Sequence, residues 1–234
     1  MSIAPQLWQQ MSPAERMDAL RQQADLLTAR DQPTRQVTVY PFQPESETRG
    51  TYDSGTIKIN ESLINQDTPY AAMETLYHEY RHSYQDYVAN ERPDLAESAQ
   101  QREDFQKNQI GYIHPNTDVS MYLAQPIEVD ARAYARQAME STYGIQNDPA
   151  YEAHRQVYDQ EEAMHQSLAE LTYGSDYAQQ ARQIAYDIYD AKQAESHDTT
   201  PTQEAARTTE QQPDHPLPHT QEESAQQQTT RHRR

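Results

Sequence analysis

The chain contains no cysteine. Disulfides and thiolate metal sites are therefore excluded, and any metal must be held by His, Asp or Glu. Basic residues are scarce as well: 19 Lys and Arg stand against 37 Asp and Glu, a formal charge of -18. Such a surface repels phosphate backbones, so nucleic acid is not an expected partner. With 5 glycines in the chain, no Gly-rich phosphate loop appears. No apolar run approaches the roughly 20 residues of a membrane span, so no membrane partner is expected. The opening MSIAPQLWQQMSPAERMDALRQ has no basic segment followed by an apolar one, which predicts a cytoplasmic protein. Export without a cleaved signal stays compatible with that.

Hydrophobic residues make up 35% of the chain and its mean hydropathy is -1.12. Averaged over its length it is too polar for one continuous core, which predicts a folded part and an unfolded part. The division falls at Ser196. From there the chain is rich in Gln, Thr, Pro, Glu and His, with Leu217 an isolated large apolar residue. Its burial cannot offset its ordering entropy, so residues 196–234 are expected to be a disordered tail. His197, His215, His219 and His232 are read as solvated there, and the terminal RHRR is too short to argue nucleic-acid binding. The rest divides into an N-terminal helix within 1–33 and a body over 34–195. Tyrosines number 17 against 2 phenylalanines, which predicts a core built on tyrosines whose hydroxyls reach the surface.

Ser12-Pro13-Ala14-Glu15 is a helix start: Ser12 caps, Pro13 suits the first position and Glu15 completes a capping box. That helix runs to about Arg30. Val37 to Tyr40 and Thr56 to Asn60 alternate as half-buried strands, with a turn-rich stretch from Pro41 to Gly55 between them. Further helices are expected from Thr68-Pro69 (Thr68 as cap) to about Asn90, over Asp94–Lys107 facing solvent, from Pro126 to about Tyr143, over Pro149–Thr172 and over Ser175–Glu195. Ile110 to Ser120 reads as loop. The fold class is α+β, mostly helical with a small sheet.

Within the helix that Pro69 opens stands TLYHEYRHSYQ, Thr75–Gln85. Residues four apart share a helix face, so His78 and His82 can hold one ion while Glu79, rotated from them, reaches a water on it. Random placement yields H-E-x-x-H about 0.03 times in such a chain, so the motif needs context. The plain alternative is a solvated face with two titrating histidines. Helical phase argues against it: Met73, Leu76, Tyr77, Tyr80, Tyr84, Tyr87 and Val88 form the core stripe. The histidines fall nearly opposite, beside Ala71 and Thr75, small enough to let another element approach. Zinc in hydrolytic sites takes three protein ligands and a water. The best third ligand is Glu128 in QPIEVDARAYA, flanked by Ala131 and Ala135, although a first-turn acid is also what a helix dipole favours. Glu162 and His165 form a Glu-x-x-His unit without the second unit a di-iron bundle needs, and read as an exposed helix.

The order GTIKIN, TLYHEYRHSYQ, PIEVDARAYA resembles a small zincin metallopeptidase of the gluzincin type, like the compact domains of bacterial toxin, phage and plasmid proteins. The resemblance covers about residues 37–143. It implies zinc held by His78, His82 and Glu128, with Glu79 as general base. It also implies a peptide or protein substrate and a strand near Thr56–Asn60 that lines the cleft and pairs with it. Such families carry an acid four residues after the ligand Glu; here that residue is Arg132, and Asp130 is the nearest acid, about 200° around the helix. Tyr112, His114 and Tyr122 are the candidate oxyanion donors. The competing reading is a non-catalytic acidic helical interaction protein, with H-E-x-x-H coincidental or a structural metal site.

Overall fold

The computed structural model describes residues 3–32, 34–43, 48–144 and 148–198. It is α+β, helices around one three-stranded sheet. Two N-terminal helices, α1 (Pro5–Gln10) and α2 (Pro13–Asp31), precede strands β1 (Thr38–Phe42), β2 (Gly50–Asp53) and β3 (Thr56–Asn60). A short α3 (Glu61–Ile64) leads to α4 (Tyr70–Asn90), which carries the His-Glu motif. A 3-10 turn (Pro93–Leu95) and α5 (Ala99–Ile110) follow, then α6 (Val119–Ala124), α7 (Pro126–Tyr143), α8 (Pro149–Tyr173) and α9 (Tyr177–Asp198).

Local chemistry sets most boundaries. Helix α2 starts on the reciprocal cap: the Glu15 amide donates to Ser12 Oγ at 3.3 Å and the Ser12 amide donates to Glu15 Oε2 at 2.7 Å. Helix α7 starts at Pro126 and reaches Tyr143, as expected. Helix α4 does not use Thr68. Its N-cap is Pro69, with no side-chain cap. The helix expected from Asp94 begins instead at Ala99, because Ser98 supplies the cap, its hydroxyl accepting from the Gln101 amide at 3.0 Å. That helix is not wholly solvent-facing: Asp104, Phe105 and Asn108 are buried.

The stretch expected to be turns holds β2. The sheet order is β1-β3-β2, with β3 parallel to β1 and antiparallel to β2. The β2–β3 hairpin turns on Ser54 and Gly55, at φ 47° and 85°. Two positive φ values in succession match the twist of paired strands, and glycine takes the second at no steric cost. Ile57 and Ile59 point into the core beside Val37 and Val39.

The main core joins α1, α2, the sheet, α4 and α7, with Trp8, Leu20, Met73 and Leu76 fully buried. Tyr70, Tyr77, Tyr80 and Tyr87 are buried too, and their hydroxyls do not reach the surface. They tie elements together instead: Tyr80 donates to the Leu27 carbonyl at 2.8 Å, Tyr77 accepts from Gln23 Nε2 at 3.3 Å, and Tyr87 meets Thr34 Oγ1 at 3.1 Å. A phenolic OH that must be satisfied makes each of these positions more specific than a phenylalanine would. Among the described residues, no helix is long and apolar enough to cross a membrane. The expected tail lies, from residue 199, outside the described residues.

Candidate metal centre

Helix α4 is buried on nearly every side, and the polar residues it buries mark the site. His78 and His82 stand one turn apart, with Nε2 atoms 3.1 Å from each other. Glu128 enters from the first turn of α7 and is 1% exposed. Its Oε2 lies 3.2 Å from His78 Nε2 and its Oε1 lies 3.4 Å from His82 Nε2. Tetrahedral ligands at about 2.0–2.1 Å from a zinc ion stand roughly 3.3 Å apart. The three side chains therefore form a group that could hold a metal ion.

Close packing of α7 on α4 makes this possible. Ala131 and Ala135 are fully buried at the seam, while Tyr134 and Ala138 are only partly covered. Glu128 Oε2 is shut off from solvent, with the His78 imidazole as its polar neighbour. A buried carboxylate oxygen left in that state is costly, and a cation is what would satisfy it. Its other oxygen is anchored, because Tyr112 donates to Oε1 at 2.7 Å.

The electrostatics are those of a site arranged for a positive charge. Burial works against ionised Glu128, but the charge on His82 and the contacts with both imidazoles more than offset it, and hold its pKa well below the usual carboxylate value. Burial likewise opposes protonated His82. The adjacent Glu128 carboxylate wins there, and pushes the imidazole up to about 9. Without an ion, a proton occupies the place where the attraction is strongest. Glu79 is buried and its pKa is raised by desolvation, with His78 and His82 opposing and Glu128 reinforcing the shift.

A cleft of about 790 Å³ opens onto His78, Glu79 and Glu128. Its walls come from Arg49 and Gly50 at the start of β2, from Val119, Tyr122 and Leu123 on α6, and from Tyr158 and His165 on α8. Gly50 is required for space. A Cβ there would fall 2.5 Å from Thr75 Cγ2 and 2.9 Å from Glu79 Oε1. Thr75 thus allows the close approach that its size suggests, and the element that approaches is the unforeseen β2.

No family model, curated protein or solved structure matches this chain. What it does has to be read from its own residues.

Of the candidate oxyanion donors, Tyr112 is engaged by Glu128, and His114 is exposed and off the cleft wall. Tyr122 lines the cleft, and burial and the Glu128 charge raise its pKa, so it keeps its proton as a donor must. Asp130 does not touch the histidines. It takes a bidentate pair from Arg81, at 2.6 and 2.9 Å. Arg132, at the position where the resemblance expects an acid, donates to the Leu123 carbonyl and lies 3.7 Å from Glu162. The residue that does reach the His82 ring is Gln85, which sequence reasoning passed over. Its signal was a polar residue three positions after His82 on a helix otherwise full of core residues. Glu162 is held by Arg136 at 2.6 Å, and no metal-holding group forms around His165 among the described residues.

Proposed function

We propose that this chain is a zinc-dependent peptidase of the small gluzincin-like type, with peptides or proteins as substrates. The observation that carries this reading is three side chains whose ligand-type atoms approach within 3.1 to 3.4 Å of one another at the wall of an open cleft, with Glu79 on the same helix as the histidines. A purely structural metal site closes all four positions with protein ligands, whereas three ligands beside a cavity leave room for a reacting molecule.

His78, His82 and Glu128 would hold the zinc. When bound, the ion supplies Lewis acidity, polarising the scissile carbonyl and making water a stronger acid. Glu79 then accepts a proton from the attacking water and passes it to the leaving amine. Desolvation in the buried site raises its pKa and so strengthens it as a base. Tyr122 donates to the oxygen of the tetrahedral species that the attack creates.

The cleft supports an extended substrate. The strand expected to pair with it, β3, is central and hydrogen-bonded on both sides. Strand β2 is at the edge, and its first residue lines the cleft, so in this proposal β2 presents backbone groups to the peptide. Val119 and Val129 are apolar, exposed and on the cleft wall, and suit an apolar substrate side chain.

The test pairs zinc content by mass spectrometry with cleavage of a broad peptide library. Wild type should carry about one zinc per chain, as a single three-ligand site requires, and should cleave. Glu79→Gln should keep its zinc and lose roughly 10²–10⁴ in rate, the scale of a missing general base. A variant cutting at the wild-type rate would remove Glu79 from the mechanism.

A further inference from the structure

Gln85 is the least expected member of the site. It is 1% exposed, one turn beyond His82, and lies between α4 and α7. Its amide nitrogen has two partners, the Ile127 carbonyl at 2.8 Å and Asp130 Oδ2 at 2.7 Å. Both are acceptors: one is a main-chain carbonyl, and the other belongs to the carboxylate paired with Arg81. Arg81 is itself set over the rings of Tyr84 and Tyr134, at 4.7 and 5.2 Å. Turning the amide over would bring its oxygen against two other acceptors. The amide orientation is therefore fixed, and Oε1 faces His82 Nδ1 at 2.8 Å. An amide oxygen only accepts, so Nδ1 must carry the hydrogen and donate it. In the neutral ring the lone pair is then left on Nε2, the nitrogen that faces His78 and Glu128.

We propose that Gln85 is a positioning residue that locks His82 in the ring orientation and tautomer that present Nε2 to the metal, with Asp130 acting at one remove by locking Gln85. The inference rests on the zinc reading above. Metal-bound histidines generally donate their second ring hydrogen to a carboxylate, a backbone carbonyl or water, and that partner tunes affinity. Here the acceptor is a neutral amide. Glu79 and Glu128 already place two carboxylates in the buried site, and a third at position 85 would add to their repulsion. The acid is set back instead and balanced by Arg81. The bond to the Ile127 carbonyl adds a second constraint, because it ties Gln85 to the residue just before Glu128. One side chain thus aligns a ligand on each helix.

The test measures zinc affinity by competition with a chromophoric chelator, on full-length protein checked for folding by circular dichroism. Gln85→Leu should bind zinc about 10–100-fold more weakly, the usual cost of losing such a partner. The double variant Gln85→Glu with Asp130→Asn keeps an acceptor on His82 Nδ1 while giving up the bond to the Ile127 carbonyl and the Arg81 ion pair. Glu at 85 accepts from His82 Nδ1, and the Asn at 130 donates to its other oxygen. Its affinity should lie between those of Gln85→Leu and wild type, because an acceptor still holds Nδ1 although the other contacts are lost. Recovery of zinc binding distinguishes positioning of His82 from simple filling of the helix seam. The inference is overturned if Gln85→Leu binds as tightly as wild type, or if the double variant folds yet binds as weakly as Gln85→Leu. A readout free of substitutions is nitrogen-15 NMR of the zinc-loaded wild type. It should show a slowly exchanging hydrogen on Nδ1 of His82, and its absence also overturns the inference. A wild-type chain that binds no zinc removes the peptidase reading itself, and the inference with it.

Discussion

Helices α4 and α8 both carry glutamate and histidine within a turn of each other, and they place them in opposite settings. Helix α4 buries polar groups: Glu74, Thr75, Glu79, Ser83 and Gln85 are all shielded from water. Helix α8 exposes apolar ones, with Val157 57%, Met164 60%, Leu168 47% and Leu171 85% accessible. On α4 the histidines meet a buried acid from another helix. On α8 Glu162 answers Arg136, and His165 has no acid set against it among the described hydrogen bonds and ion pairs. Spacing supplies the possibility of a metal site on either helix. Burial, and an acid delivered by a neighbouring element, decide which spacing gathers a group that could hold a metal ion.

The contrast is broken or kept most sharply by removing one histidine from each helix. His82→Ala should abolish stoichiometric zinc and with it peptidase activity, since two protein ligands do not make a hydrolytic site. His165→Ala should leave zinc at the wild-type level. Metal analysis of the two purified variants reads the outcome, and normal zinc in His82→Ala would sink the assignment.

A second difference is electrical and shows up in pH. The folded pKa of His82 is raised, from 6.5 to about 9. Its stabilising effect on the metal-free protein is complete below about pH 6.5 and is lost as pH rises through about 9. The pKa of Glu128 is depressed from 4.5. Its effect is present above about pH 4.5 and is lost as pH falls through its folded value. The metal-free fold thus gains most from the pair between roughly pH 4.5 and 6.5, and should melt at lower temperature by pH 9. At pH 8 the incoming zinc must displace the proton on His82. Calorimetry in buffers of different ionisation heat should therefore report about one proton released per zinc. Release near zero would mean that Glu128 does not hold a proton on His82.

A smaller effect is expected where β2 meets α4. Gly50→Ala adds one methyl against Thr75 Cγ2 and Glu79 Oε1. Overpacking of this kind costs about 1–3 kcal/mol, and here part of it falls on Glu79. Both the urea midpoint and the rate should drop while zinc content holds. An unchanged rate with lowered stability would mean that β2 moves away and leaves Glu79 in place.

How much of this was legible in the sequence follows from which forces are local. The gathering of His78, His82 and Glu128 beside Glu79 could be read because helix periodicity puts His78 over His82, and Pro126 fixes where the next acid-bearing helix starts. Strand β2 was hidden because GTYD is four residues with glycine first, and its strand character comes from pairing with β3 rather than from propensity. Helix α6 was hidden for a similar reason: it is six residues long, capped by Asp118, and held by packing of Met121 and Ala124 against α9. Gln85 could not be assigned, because its partners Ile127 and Asp130 lie more than 40 residues away and only the packing of two helices brings them together. Tyrosine count predicted a tyrosine core, but not that the hydroxyls of Tyr77, Tyr80 and Tyr87 would find partners across elements.

The smallest effect belongs to the far face of α8. Leu171 is 85% exposed, so little apolar surface returns to water when it is changed. Leu171→Gln keeps a good helix former at that position and removes only exposed carbon. Its stability should stay within about 0.5 kcal/mol of wild type, and its zinc content and rate should not move. Leu76 on α4, fully buried, sets the other end of the scale: its truncation to alanine should cost about 2–5 kcal/mol. Urea melts of the two variants measure both ends together. If Leu171→Gln falls by more than about 1 kcal/mol, and falls further on dilution, the exposed stripe is covered in solution by another copy of the chain. The difference between α4 and α8 would then lie in what covers each helix, and no longer in whether it is covered.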